Sequence, residues 1–266
     1  MREALALVRA SWLSAVSYRL SMAFSIAGLA AVVVPVYFVA NALQPLLAEA
    51  IAGEGGQYFA FVLVGMITLN YLADAVQALP GAIRGGVNTG TLEALLSTPA
   101  SLPSLLGGLT AYDFIWTSIR AAIFLLAGWV LGAEYAWDRV LSAVGILMLI
   151  VLSYLPFGLL TAAMVLAFRT TGPLPRLVLL LSGLLGGVYY PTTVIPSWLQ
   201  YVSDAIPLTY GLRALRQVFL EGTPLAAVTA DLAILAAFTV VLLAVSVWAF
   251  SSALQYARRT GTLAQY

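Results

Sequence analysis

Long runs of apolar residues alternate with short polar segments along the chain. A membrane-spanning helix needs about 20 consecutive apolar residues to cross a hydrocarbon core of about 30 Å. Six runs reach or approach that length: Met22–Asn41, Tyr58–Leu79, Phe114–Leu131, Val140–Phe168, a glycine-rich run beginning at Leu177, and Leu225–Ala253. The pattern therefore predicts an all-α, polytopic membrane protein with six spans, in which residues 1–266 form one domain.

A shorter amphipathic pattern precedes the first run. Leu5, Val8, Trp12 and Val16 recur at intervals of three or four residues, which is the spacing of one helix face. Residues 1–20 are therefore predicted to form a helix along the inner membrane surface. The alternative is a plain cytoplasmic extension of the first span.

A second irregular region, residues 189–222, lies between the fifth and sixth spans. Prolines at positions 191, 196 and 207 interrupt it, and amphipathic patterns cover Ser197–Ile206 and Leu212–Phe219. Non-helical backbone at membrane depth is tolerated only where it is buried in protein or lines water. The region is predicted to be either a re-entrant hairpin or a structured outer cap.

The arginines predict the orientation. With a cytoplasmic N-terminus and six crossings, the inner segments hold Arg2, Arg9, Arg19, Arg84, Arg169, Arg176, Arg258 and Arg259, and the outer segments hold Arg139, Arg213 and Arg216. Cytoplasmic loops carry an excess of basic residues. Both termini are therefore expected in the cytoplasm.

Composition fits a bilayer and removes several kinds of chemistry. Of the residues, 62% are hydrophobic and 9% charged, whereas a soluble domain carries about 25% charged residues. The formal net charge of +1 provides no basic surface for nucleic acid. Histidine and cysteine are absent, so the commonest metal ligand, the commonest general base and thiol chemistry are absent too.

Lysine is also absent, because all twelve basic residues are arginine. A P-loop needs its lysine on the nucleotide phosphates. The chain is therefore predicted to be non-catalytic and to bind no cofactor or metal, and any ATP hydrolysis is expected in a partner.

The link between the second and third spans, residues 84–100, contains a short helical motif. It ends in Gly-Thr-Leu-Glu-Ala-Leu-Leu-Ser-Thr-Pro at positions 90–99. A threonine cap, Glu93 in the first turn and Pro99 at the end favour a helix there. Its leucines form an apolar side too small to be buried alone, so the helix either docks in a partner's groove or rests on its own bundle.

Two parts of the sequence resemble ABC type-2 export permeases, the family of drug, lipid and polysaccharide export subunits. Residues 90–99 resemble the family's coupling helix, and residues 186–200 with 206–216 resemble its second hallmark. The resemblance implies a homodimer of this chain in a bacterial plasma membrane, in contact with membrane lipid. It also implies two separate ATP-binding subunits, which use ATP and Mg.

The same resemblance implies which residues contact the ATP-binding subunits. They belong to the N-terminal helix and to the coupling segment, where they are Gly90, Thr91, Leu92, Glu93, Leu95 and Leu96. The exported substrate would be an amphipathic drug, a lipid or a lipid-linked glycan.

Charged residues within the apolar runs are costly in a bilayer and are functional candidates by default. Asp74 lies in the second run and Arg120 in the third. They can pair between helices or line a substrate path, and the pairing is favoured because an ATP-driven exporter needs no proton-carrying carboxylate. Asp113 and Asp231 are interpreted as lying near the membrane surfaces.

Tyr189 and Tyr190 end the glycine-rich fifth run. Glycines allow close helix packing, so these tyrosines are further candidates for a substrate path. An aromatic belt at the membrane boundary is the alternative explanation for aromatic residues in this region.

Two other functional classes are the alternatives. A proton-coupled secondary transporter would use Asp74 and Arg120 as a relay and would be supported by an inverted repeat, which the sequence does not show. An intramembrane enzyme would need a nucleophile, base or metal site, and the available residues form no recognisable constellation.

Overall fold

The computed structural model describes residues 19–88, 102–168 and 172–259, and within these ranges it is helical without strands. The α-helices, in chain order, are α1 Arg19–Leu47, α2 Tyr58–Asn88, α3 Leu102–Val130, α4 Val140–Phe168, α5 Leu174–Leu185, α6 Ser197–Asp204, α7 Pro207–Phe219 and α8 Thr229–Arg259. Short 3-10 turns at Ala52–Glu54, Trp137–Arg139, Thr192–Val194 and Leu225–Val228 connect them.

Four helical segments of the described chain are long and apolar enough to cross a membrane. They are Tyr58–Gly81, Asp113–Val130, Trp137–Val165 and Leu225–Gln255, and they coincide with the predicted second, third, fourth and sixth spans. Ala31–Leu47 and Leu174–Leu185 are shorter apolar helical stretches. The described residues therefore contain four candidate spans, compared with the six that the sequence predicts.

The predicted fifth span is short because its helix stops at the glycines. The 12 residues of α5 extend about 18 Å at 1.5 Å per residue, less than the hydrocarbon core. Gly187 has φ +80°, a conformation that favours glycine and ends a helix. The Ser203 hydroxyl of α6 then donates to the Leu185 carbonyl at 2.6 Å, which satisfies a backbone acceptor at the end of α5.

The helices α2 and α4 form the centre of the bundle. α2 packs against α4 and also against α1 and α3, while α4 packs against α8, and α7 fills the space beside α4 and α8. Glycines permit the close approach, since a β-carbon at Gly158 would overlap the Ala75 carbonyl of α2 and one at Gly211 would overlap Ile150 of α4. Burial of α2 is the most extensive among the candidate spans, which makes it the central element.

Two predicted elements lie outside the described residues. These are the interfacial helix, of which residues 1–18 are not described, and the coupling motif at 90–99. α2 continues as helix from Arg84 to Asn88, so the coupling motif connects the end of α2 to the start of α3.

Candidate functional site

The intramembrane charges Asp74 and Arg120 meet at one hydroxyl group between α2 and α3. The Thr117 hydroxyl donates to Asp74 Oδ2, and Arg120 Nη2 donates to Thr117 Oγ1 at 2.7 Å. Thr117 is fully buried. Asp74 and Arg120, both in the described part of the chain, form no direct ion pair. The two helices are therefore joined through the neutral side chain of Thr117.

A second hydrogen bond joins the same two helices close by. The Tyr71 hydroxyl donates to Ser118 Oγ at 2.8 Å, and Ser118 in turn donates to the Phe114 carbonyl of its own helix at 2.8 Å. In a bilayer, apolar side chains contact lipid as favourably as they contact another helix. Hydrogen bonds between helices therefore help to hold a membrane bundle together. The two links fasten α2 to α3 along their shared face.

Replacing Thr117 with valine tests the hydroxyl link. Thr117→Val keeps the shape but removes the donor to Asp74 and the acceptor for Arg120, so we expect a loss of about 1–2 kcal/mol of stability. Thr161→Val is the matched control, because Thr161 is also buried but donates only to the Phe157 carbonyl of its own helix. Thermal unfolding in detergent measures both, and equal shifts would contradict the link.

Arg216 forms the most extensive polar network in the described part of the chain. Its side chain is 1% exposed and forms an ion pair with Glu54 at 3.0 Å. It also donates to the carbonyls of Gly187 at 2.8 Å, Phe61 at 3.0 Å and Val188 at 3.1 Å. One guanidinium on α7 thereby holds the turn after α1, the first turn of α2 and the backbone after α5.

The groups around Arg216 offset the cost of burying its charge. The guanidinium carbon lies 3.3 Å from the centroid of the Phe61 ring, a cation–π contact. Burial lowers the pKa of Arg216 to about 10, and the Glu54 carboxylate acts in the opposite direction. The side chain therefore stays charged at neutral pH and needs its acidic partner.

A second arginine on α7 pairs with the start of α8. Arg213 Nε donates to Asp231 Oδ2 at 2.9 Å, and Arg213 Nη2 donates to the other carboxylate oxygen. The Arg213 side chain is 41% exposed and that of Asp231 is 13% exposed, so the arginine of this pair is more open to its surroundings than Arg216.

The two candidate tyrosines lie directly after the break of α5. The Tyr189 carbonyl accepts a hydrogen bond from the Tyr58 hydroxyl at 2.7 Å, while its side chain is exposed, and Tyr190 is half-buried. The backbone of Tyr189 thus belongs to the packing around α2. Nothing in these contacts tests a substrate path, so that role stays a prediction.

Sequence reasoning missed the Arg216 network. The sequence places Arg216 among the outer arginines and at the end of the motif at 206–216, whereas its partners Glu54 and Phe61 lie 162 and 155 positions away in the chain. Glu54 is the one sequence feature that points to this network. An acidic residue beside two apolar runs needs a counter-charge if it is buried.

The described residues define a class of protein. They contain apolar helices long enough to cross a membrane and no group of three or more acidic residues placed to hold a metal ion. This is an α-helical integral membrane protein whose polar contacts join helices to one another.

The comparison with protein families gives the class a name. The family model for the ABC-2 type transporter matches residues 3–220, which is most of the chain, so the protein belongs to this family and is an ABC-type membrane permease. Family members normally pair with an ABC ATP-binding subunit. No curated protein matches the sequence.

Proposed function

We propose that this chain is the transmembrane subunit of an ATP-driven exporter for an amphipathic drug, lipid or lipid-linked glycan. The observation that carries the proposal is the family match over residues 3–220. The absence of any lysine supports a division of labour in which two separate ATP-binding subunits hydrolyse ATP and a homodimer of this chain provides the path.

The connectivity supports a mechanism for the coupling segment. Residues 90–99 join the end of α2 to the start of α3, and the hydroxyl of Thr117 links these helices within the membrane. ATP binding would close the partner subunits and displace the coupling segments seated in them. Because α2 is the central helix, its displacement would repack the bundle and open the path.

The proton-coupled alternative receives no support from the contacts of Asp74 and Arg120. Both charges are engaged by Thr117, which favours a structural link between α2 and α3 over a proton relay.

The proposed topology counts α1 and α5 as the first and fifth of six spans. Both termini are then cytoplasmic in a bacterial plasma membrane, and residues 189–222 form the outer re-entrant or cap region. Reporters after Tyr266 and within 84–99 are expected to read cytoplasmic, and a reporter within 49–56 external. A cytoplasmic signal from Glu54 would refute the six-span topology.

The division of labour is tested by ATPase measurements. The purified chain should hydrolyse no ATP above background, and activity should appear when an ABC ATP-binding subunit encoded beside it is co-purified in stable complex. ATPase activity that remains with this chain through further purification would refute the proposal, as would the failure of every neighbouring ATP-binding subunit to bind it.

A further inference from the structure

The connection between α1 and α2 lies against the end of α7. Its residues 51–57, here called the strap, make two polar contacts there. Glu54 pairs with Arg216 at 3.0 Å, and the Gly55 amide donates to Glu221 Oε1 at 3.0 Å. The strap therefore fastens the α1–α2 hairpin to the last turn of α7 and to the residues that follow it.

The strap is bonded internally as a small unit. The amides of Glu54 and Gly56 both donate to the Ile51 carbonyl, at 2.9 and 3.1 Å, so these hydrogen bonds move with the strap. Ile51 is its only fully buried side chain, whereas Ala52 and Gly53 are exposed. Segments with few buried apolar contacts open at lower free energy than the core. The strap can therefore leave α7 without the rest of the bundle unfolding.

Arg216 keeps most of its partners when Glu54 leaves. Its hydrogen bonds to the carbonyls of Phe61, Gly187 and Val188 are made with α2 and with the backbone after α5, not with the strap. The Glu54 side chain is already 17% exposed, so its carboxylate is hydrated once it is released. Lifting the strap thus leaves neither charge buried without a partner, the condition that makes the loss of one member of an ion pair costly.

We propose that the strap is a latch, which locks α7 to the α1–α2 hairpin and lifts as a unit when Glu54 separates from Arg216. α7 belongs to residues 189–222, which the proposed topology places at the outer membrane face. The strap then controls whether the outer end of the subunit moves relative to α1 and α2. The proposal uses this orientation and does not depend on ATP-driven transport.

Cysteine labelling measures the lifting. Because the chain has no cysteine, Ile51→Cys provides a single reporter, which a membrane-impermeant maleimide should label slowly in intact cells, whereas the exposed Ala52→Cys should react at once. Adding Glu54→Gln to Ile51→Cys removes the charge of the pair and should raise the labelling rate about tenfold, the change that about 1.4 kcal/mol produces. Glu49→Gln is the matched control, since Glu49 is exposed and is not the partner of Arg216.

A steric variant tests the same movement without removing a charge. Gly55 has φ +101°, and a β-carbon there would lie 2.5 Å from the Leu220 β-carbon, so Gly55→Ala must push the strap away from α7. Gly53→Ala is the matched control, because nothing lies within 4 Å of a β-carbon at Gly53. The labelling rate of Ile51→Cys should rise with Gly55→Ala and stay unchanged with Gly53→Ala.

A buried position on α7 separates lifting from unfolding. Val218 is 0% exposed, and Val218→Cys should stay unlabelled when Glu54→Gln or Gly55→Ala is added. Equal labelling of Val218→Cys and Ile51→Cys would overturn the proposal, as would an unchanged Ile51→Cys rate in both loosened variants. An Ala52→Cys that reacts only in permeabilised cells would instead refute the six-span topology and the outer position of the strap.

Hydrogen exchange tests the unmodified chain. The Gly56 amide should exchange by local opening, at a rate that low concentrations of urea do not change, while the amides of α7 exchange with the urea dependence of global unfolding. A common urea dependence would mean that the strap opens only when the subunit unfolds, and the latch would be refuted.

Discussion

Arg216→Leu is expected to destabilise the protein by about 3–5 kcal/mol, since removing one partner of a buried ion pair leaves the other charge uncompensated. The substitution also removes the hydrogen bonds that Arg216 donates to the backbone carbonyls of Gly187, Val188 and Phe61. Thermal unfolding in detergent, monitored together with size-exclusion profiles, measures the loss.

Arg213→Leu is the matched control for this experiment. It lies on the same helix and also loses an ion pair, but its side chain is 41% exposed while that of Asp231 is 13% exposed, so we expect a smaller loss of about 1–2 kcal/mol. Adding Glu54→Gln to Arg216→Leu should recover part of the stability, because a neutral amide then replaces the unpaired carboxylate. Equal losses for the two arginine variants would mean that the Arg216 network does not hold the three segments together.

Replacing Leu92 and Leu96 together with glutamine is expected to separate the chain from its ATP-binding partner. An apolar anchor at the centre of an interface can contribute about 2 kcal/mol or more, so the dissociation constant for the partner should rise about 30-fold or more and less partner should co-purify. Stability of this chain should change little, since surface substitutions usually lie within about 0.5 kcal/mol. The measurements are co-purification, ATPase activity in membranes containing both proteins, and thermal unfolding.

The matching control replaces the same two leucines with methionine, which keeps an apolar side chain of similar volume. Partner binding should then be retained. If the glutamine variant assembles and transports normally, the coupling contact lies elsewhere. If it unfolds, these leucines belong to the protein's own core and the helix rests on its bundle.

The sequence predicts the long helices well because their signal is local. An apolar run of sufficient length identifies Tyr58–Gly81 or Trp137–Val165 without knowledge of any neighbour. The fifth span was harder, since Gly183, Gly186 and Gly187 fit close packing as well as a helix end. The positive φ of Gly187 is a property of the folded backbone and decides between the two.

The polar contacts were predictable only in part. Asp74 and Arg120 stand out because charges are rare in apolar runs, but Thr117 resembles many other threonines in membrane helices. Its place between the two charges depends on the rotation of α2 against α3, which hydropathy does not fix. Arg216 was missed for the same reason, because its partners come from three distant segments.

The packing of the bundle is uneven, and this affects how it can deform. α3 contacts α1 and α2 extensively but has no comparable contact with α4 in the described chain, whereas α4 is tied to α2, α7 and α8. Elements with fewer contacts separate at lower free energy. The boundary between α3 and α4 is therefore the least tightly packed side of the subunit, where α3 can separate from α4 at lower cost than from α2.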